Sequence, residues 1–190
     1  PDSGAPVWNS RIMAARNEPS RLVFPVRGLY LEAIDRAVHR IWITQGYFIP
    51  DREIKAGLLA AAKRGVDIRV LMPEASNHVV ADWVARSHYS TLLRGGVRIF
   101  LYQDVMVHAK TATVDGTWTT VGTANIDRLS MIGNYEVNLE IHDQGQAARM
   151  EEIFARDLDN ARELTLEEWE SRGLASRAAE WILEPLHPLL

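Results

Sequence analysis

The stretch VHAKTATVDGTWTTVGTAN, from Val107 to Asn125, places four polar side chains in a run that is otherwise suited to β-strands. These are an imidazole, an ammonium group, a hydroxyl and a carboxamide, at His108, Lys110, Thr123 and Asn125. A neutral imidazole can attack phosphorus or transfer a proton, and an ammonium group balances the charge of non-bridging phosphate oxygens. The hydroxyl and the amide can donate hydrogen bonds to the same oxygens. This combination is suited to the chemistry of a phosphate ester.

An Asp115-Gly116 pair between the two runs is a strong signal for a β-hairpin. We expect a two-residue turn, which sets Val114 opposite Thr117 and determines the register of the pair. Side chains match across a strand pair, so the four polar groups would share one face and form a cationic pocket. The facing pairs would be His108 with Thr123, Lys110 with Val121, and Met106 with Asn125.

Two carboxylates close to this stretch have different expected roles. Asp115 lies seven residues from His108, roughly 23 Å along a strand, so we assign it to the turn. A nucleophilic histidine needs an acceptor on its other ring nitrogen, which fixes the tautomer and raises the basicity. Glu136, at the start of the next strand, is the best-placed acceptor in the sequence.

The elements that must position these groups alternate between strand-like and helix-like segments. This alternation predicts an α/β layered domain with a mixed, mostly parallel β-sheet flanked by helices. We expect a loosely ordered segment at 1–20 and one domain at 21–190. The predicted strands are IWITQ, VDIRVLMP, VRIFLY, the two of the hairpin, and EVNLEIHD. The predicted helices cover 29–40, 52–64 with Asp51 as N-cap, 77–94, and most of the chain from Gln144 onward.

Composition excludes several classes of protein. The 190 residues include no cysteine, so a disulfide framework and a thiolate metal site are excluded. No run approaches the roughly 18 apolar residues of a membrane span, and the first residues do not form a signal peptide. The net charge of -4 argues against general nucleic-acid binding, which favours a basic surface.

The quoted stretch resembles the H-x-K-x4-D-x6-G-[ST]-x-N signature of the phospholipase D superfamily. DRLSMIGNYEVNLEI, which follows it, is similar to the Ser-x3-Asn-x-Glu extension of that signature. The resemblance implies catalytic roles for His108, Lys110, Asn125 and Glu136. It places Asp115 and Gly122 at motif positions that we interpret as structural, and Thr123, Ser130 and Asn134 at positions that bind substrate. It implies no metal and no cofactor, because the lysines supply the positive charge.

The resemblance extends over most of the chain. ITQGYFIPDREIKAGLLAAAKRGVDIRVLMP, YSTLLRGGVRIFLY and the closing LEPLHPLL are similar to the second half of bacterial cardiolipin synthases. Gly46 stands where those synthases usually have proline, and Leu129 where they usually have arginine. Tyr47 and Phe48 could equally pack in a core or line a site, and LEPLHPLL could pack on the core or touch a membrane.

The resemblance implies a phosphatidyltransferase that acts through a phosphohistidine intermediate, with this chain as its C-terminal catalytic domain. Since two H-x-K motifs are required and this chain holds one, the partner would be a missing N-terminal half or a second copy. The expected substrate is a phospholipid similar to phosphatidylglycerol, with peripheral membrane contact and no nucleic acid. We expect the parent enzyme at the cytoplasmic (inner) membrane and this fragment to be soluble. The alternatives are a hydrolytic phospholipase D, a homodimeric single-motif nuclease or phosphodiesterase, and a catalytically silent half used for assembly or membrane docking.

Overall fold

In the computed structural model, residues 11–77 and 79–172 are described, and they form one mixed sheet with helices on both faces. The strands are β1 (Arg11–Arg16), β2 (Arg40–Gln45), β3 (Asp67–Pro73), β4 (Arg98–Tyr102), β5 (Lys110–Val114), β6 (Trp118–Gly122), β7 (Val137–His142) and β8 (Ala161–Leu164). The helices are α1 (Pro25–Arg36), α2 (Arg52–Lys63), α3 (Val79–Ser87), α4 (Tyr89–Arg94), α5 (Arg128–Ile132), α6 (Gln144–Leu158) and α7 (Leu166–Glu170), with a 3-10 turn at Pro19–Arg21. The predicted α/β layered fold with a mixed sheet is confirmed.

The order of the strands is β1-β7-β6-β5-β2-β3-β4-β8. Only the pairs β2–β3 and β3–β4 are parallel. The other five pairs are antiparallel. The expectation of a mostly parallel sheet is therefore wrong. Parallel pairing needs a long crossover, which the chain provides around α2 and α3–α4 but not between β5 and β6, where the connection is short.

The main hydrophobic core lies between the sheet and helices α1, α2, α3 and α4. Helix α2 shows how the sequence builds this layer: Ile54, Leu58 and Ala61 recur at helical spacing and are fully buried. The helix begins at Asp51, whose Oδ1 accepts from the backbone N–H groups of residues 53 and 54, both at 2.9 Å. The predicted N-cap is confirmed. A smaller cluster of Leu71, Phe100 and Phe154 lies on the other face, beneath α6.

Three expectations about the elements are corrected. Part of the segment 1–20, which we expected to be loosely ordered, forms strand β1, because the backbone of this part pairs with β7. Strand β8 interrupts the helical region expected after Gln144, since pairing with β4 buries Leu164 at an edge of the sheet. The helix expected over 77–94 is divided into α3 and α4 at His88. Residues 1–10 and the LEPLHPLL segment lie outside the described residues.

In the described part of the chain, no helix is both long enough and apolar enough to cross a bilayer.

Candidate active site

The hairpin of β5 and β6 forms at the predicted turn but in a different register. Asp115 and Gly116 both have positive φ, and the N–H of Thr117 donates to the carbonyl of Val114. Trp118 nevertheless pairs with Val114, so Thr117 is an extra residue and the register is shifted by one position. The predicted facing pairs are wrong: Val121 pairs with Thr111 instead of Lys110, and the ladder ends at this pair, so the other two predicted pairs lie beyond it. His108 precedes β5, and Thr123 and Asn125 follow β6, so loops rather than facing strand positions direct these side chains.

The side chains of His108, Lys110 and Asn125 nevertheless converge, and they do so around Gly46. A Cβ atom at Gly46 would lie 2.9 Å from Cδ2 of His108, 3.2 Å from Nζ of Lys110 and 3.5 Å from Oδ1 of Asn125. Gly46 follows β2, and its N–H donates to the carbonyl of Ala109 at 3.0 Å. An imidazole, an ammonium group and an amide therefore surround one point, at the end of β2 and the start of β5.

Lys110 is the buried member of this group, with 8% of its surface exposed. Its ammonium donates to the carbonyl oxygen of His108 at 2.9 Å, which links the two motif residues. Burial lowers the pKa of Lys110 below its usual 10.5, although the charges of Glu136 and Asp127 oppose this shift. A partly desolvated cation of this kind attracts an anion more strongly than a hydrated lysine does.

The ring of His108 is more exposed than Lys110 and meets the edge of Tyr47, with 6.1 Å between the ring centroids. Partial loss of hydration, and then the positive charge of Lys110, lowers the pKa of His108 below 6.5. The imidazole is therefore mainly neutral at pH 7, which is the form that can attack phosphorus or accept a proton. Tyr47 lies beside this ring, whereas Phe48 is buried in the core. The two residues that the sequence left undecided thus have different positions.

Thr123 and Glu136 form a pair at the start of β7. The hydroxyl of Thr123 donates to Oε2 of Glu136 and accepts from the N–H of Val137 at 3.0 Å. Among the described residues, no hydrogen bond joins Glu136 to His108, so the expected acceptor on the ring nitrogen is not seen in this arrangement. Glu136 instead lies close enough to Lys110 to affect its pKa.

The two remaining residues assigned to substrate binding have structural contacts. Ser130 is buried in α5, and its N–H and Oγ donate to the carboxylate of Asp127 at 2.6 Å and 3.3 Å. Asn134 is exposed after α5, where its N–H donates to the carbonyl of Leu129 at 2.8 Å. Asp127, which no sequence pattern singled out, is buried at the N-cap of α5. Burial raises the pKa of Asp127, an effect that its hydrogen bonds to Ser130 oppose.

Asp115 and Gly122, which we interpret as structural, both make close contacts with neighbouring segments of the chain. The carboxylate of Asp115 accepts from the backbone N–H groups of residues 38, 39 and 40, each at 2.8 Å. Burial would raise the pKa of Asp115, but these three donors hold it below its usual 3.8. A Cβ atom at Gly122 would lie 2.2 Å from Oδ1 of Asn138, so only glycine fits there.

Two buried amides that the sequence analysis did not single out hold the backbone around Asn125. Oδ1 of Asn138 accepts from the N–H of Ala124 at 3.2 Å, and Oε1 of Gln45 accepts from the N–H of Ile126 at 3.1 Å. Both side chains are fully buried. Polar residues at the end of ITQ and inside EVNLEI interrupt apolar strands, and this is the signal that could have identified them. The described residues contain no group of three or more His, Asp or Glu side chains placed to hold a metal ion.

Comparison with known families and proteins gives one consistent match. The family model described as "Cardiolipin synthase, PLD-like domain" matches residues 30–158. A cardiolipin synthase of Clostridium perfringens (strain SM101 / Type A) is 36% identical over 165 residues, which cover 87% of this chain and 35% of that protein. Cardiolipin synthase 2 of Staphylococcus epidermidis is 33% identical over 189 residues, covering 100% of this chain and 38% of the relative. The chain therefore spans little more than a third of the length of these curated relatives.

Two solved structures share the fold. Nuc from Salmonella typhimurium, a phospholipase D family member, has a TM-score of 0.70 at 22% identity, covering 83% of this chain and 99% of Nuc. Phosphatidylserine synthase of Haemophilus influenzae Rd KW20 has a TM-score of 0.70 at 13% identity, covering 95% of this chain and 46% of that chain. At these identities the likeness concerns the fold alone.

Proposed function

Because this chain belongs to the family of cardiolipin synthase, phospholipase D-like domains, we propose that it is the C-terminal catalytic half of a phosphatidyltransferase. The substrate is a phospholipid similar to phosphatidylglycerol. The observation that carries this proposal is the convergence of His108, Lys110 and Asn125 around Gly46. A neutral imidazole and a buried ammonium, with an amide beside them, suit a phosphodiester group.

The reaction proceeds in two displacements at phosphorus. One histidine attacks phosphorus, the bond to the leaving glycerol oxygen breaks, and a second histidine gives its proton to that oxygen. The acceptor hydroxyl then returns a proton to the second histidine and attacks the phosphohistidine, which frees the first. Two molecules of phosphatidylglycerol thus yield one cardiolipin and one glycerol. His108 fills one of the two histidine roles.

The second histidine comes from a companion half or from a second copy of the chain. The single motif in this chain and its coverage of 35% of a relative support a companion half in a longer parent. Lys110 stabilises the charge that develops on the non-bridging oxygens, and Asn125 positions them. Glu136 and Thr123 form a hydrogen-bonded pair beside this group.

The test is the conversion of phosphatidylglycerol to cardiolipin by the full-length parent enzyme. His108→Ala should lower kcat by several orders of magnitude while the thermal unfolding temperature is retained. His39→Ala is the matched control, because His39 is exposed and outside the site. Release of the headgroup without formation of cardiolipin would select the hydrolytic alternative, in which water is the acceptor. Activity of His108→Ala equal to that of the control would remove His108 from the reaction.

A further inference from the structure

Five apolar side chains are exposed close to the site, on the loop before α1, on α5, and on the segment before β7. Exposed apolar side chains that occur singly are ordinary, but a contiguous group marks a binding surface. They are Leu22 (82% exposed), Val23 (47%), Leu129 (51%), Ile132 (38%) and Tyr135 (66%), and we call them the apolar rim.

The three segments of the apolar rim are held together by hydrogen bonds. The hydroxyls of Tyr135 and Ser20 lie 2.8 Å apart, which joins the segment before β7 to the loop before α1. The side chain of Asn17 donates to the carbonyls of Ser130 and Met131 at 3.0 Å and 3.2 Å, which joins that loop to α5. The exposed apolar groups therefore belong to one continuous part of the surface.

Leu22 has an unfavourable backbone conformation for its residue type. Its φ of 56° is in the left-handed region, where a branched side chain costs free energy. Its N–H donates to the carbonyl of Pro19 at 3.0 Å, so it ends the 3-10 turn. Glycine or asparagine would suit this position better, and folding gains nothing from a leucine in solvent. An exposed leucine at the tip of a tight turn indicates contact with an apolar partner.

Basic side chains lie beside the apolar rim. Arg16 and Arg21 are both exposed, and both form ion pairs with the single carboxylate of Glu18. Two guanidinium groups against one carboxylate leave a net positive charge. Apolar side chains flanked by arginine are suited to the interface of a bilayer that contains anionic lipids.

The position of the apolar rim relates it to the proposed chemistry. Tyr135 directly precedes Glu136, and α5 begins three residues after Asn125. A bilayer in contact with the apolar rim would therefore place its polar headgroups next to His108 and Lys110.

We propose that the apolar rim docks on a phospholipid bilayer, so that a lipid headgroup reaches His108 and Lys110 while its acyl chains remain in the membrane. This inference rests on the proposed function for the identity of the substrate, but membrane binding does not require catalysis. A lipid surface fits better than a second protein, because the most exposed residue of the rim, Leu22, ends a tight turn that lies beside exposed arginine side chains, and these can bind anionic headgroups.

The test measures binding of the 190-residue chain to sedimenting vesicles of phosphatidylglycerol and phosphatidylcholine, and of phosphatidylcholine alone. Leu22→Asp with Leu129→Asp should lower the partition coefficient at least about tenfold. The matched control is Ile12→Asp with Ile153→Asp, two exposed apolar positions on β1 and α6 that add the same charge. Wild-type binding should be stronger with phosphatidylglycerol and should weaken as salt is added.

Equal losses in the two double variants, or no loss in either, would overturn the proposal. The proposal would also be overturned if the wild-type chain did not bind vesicles but bound another copy or a companion half through Leu22 and Leu129. His108→Ala separates this proposal from the proposed function, because it should bind vesicles like the wild type. Vesicle binding through the apolar rim without lipid transfer by the parent enzyme would refute the function alone.

Discussion

Replacement of Gly46 by alanine tests whether the site geometry described above controls the chemistry. The new Cβ atom would lie 2.9 Å from Cδ2 of His108, whereas carbon atoms in contact are ordinarily about 3.5 Å apart. The imidazole must therefore move by roughly 0.6 Å. Gly46 is not among the glycines with positive φ, so alanine can adopt its backbone conformation.

The effect on activity follows from the size of this displacement. A misplacement of about 1 Å at a reacting group can lower the rate roughly 100-fold, so about 0.6 Å should lower kcat roughly tenfold. The free energy of unfolding should change by less than about 1 kcal/mol, because an exposed ring moves and the backbone does not. The Cβ would also lie 3.2 Å from Nζ of Lys110, so KM should rise as well.

The assay is steady-state formation of cardiolipin by the proposed parent enzyme, with thermal unfolding measured on the same samples. Gly28→Ala is the matched control, because nothing lies within 4 Å of a Cβ at that position in α1. It should leave kcat unchanged and stabilise the helix by about 0.5–1 kcal/mol. A kcat for Gly46→Ala within twofold of wild type, with the fold intact, would refute the view that Gly46 sets the position of His108.

Three further predictions concern charged groups of the site and the turn. Lys110→Met should abolish activity, yet the free energy of unfolding at pH 7 should be unchanged or raised by about 1 kcal/mol, because a buried cation is removed. Chemical denaturation measures this free energy, and a clear loss of stability would contradict the prediction. Asp115→Asn should lower the free energy of unfolding by about 2 kcal/mol, since a neutral amide cannot accept as well from three backbone N–H groups. The contribution of Asp115 should be present above pH 4 and be lost as the pH falls through its lowered pKa, so wild type and variant should converge in acid. An NMR titration should place the pKa of His108 below 6.5, and this pKa should rise in Lys110→Met, where the like charge is absent. An unchanged pKa in the variant would exclude the charge of Lys110 as a cause of the lowered pKa.

Much of the local structure could be predicted because the signals lie close together in the chain. The Asp115-Gly116 turn, the N-cap at Asp51 and the alternation of strands and helices depend on residues a few positions apart. The same local arguments failed where one extra residue decides the outcome. Thr117 shifts the hairpin by one position, and a shift of one reverses the face of every side chain in a strand.

The partners of the site residues were less predictable. Glu136 was expected to meet His108, but its carboxylate accepts from Thr123. The amides of Gln45 and Asn138 that hold the backbone beside Asn125 act over 81 and 14 positions along the chain. Contacts over such separations depend on how the sheet and loops pack, which no local pattern encodes.

By itself, the sequence determined which chemical groups are present, their spacing, and the family to which that spacing belongs. Spacing is enough for this because the periods of strands and helices are local properties of the backbone. Only the tertiary structure decided that His108, Lys110 and Asn125 meet around Gly46, and that an apolar rim lies beside them. These features arise where the end of β2 and the start of β5 meet the segment before α5, and contacts between residues far apart in the sequence determine that meeting.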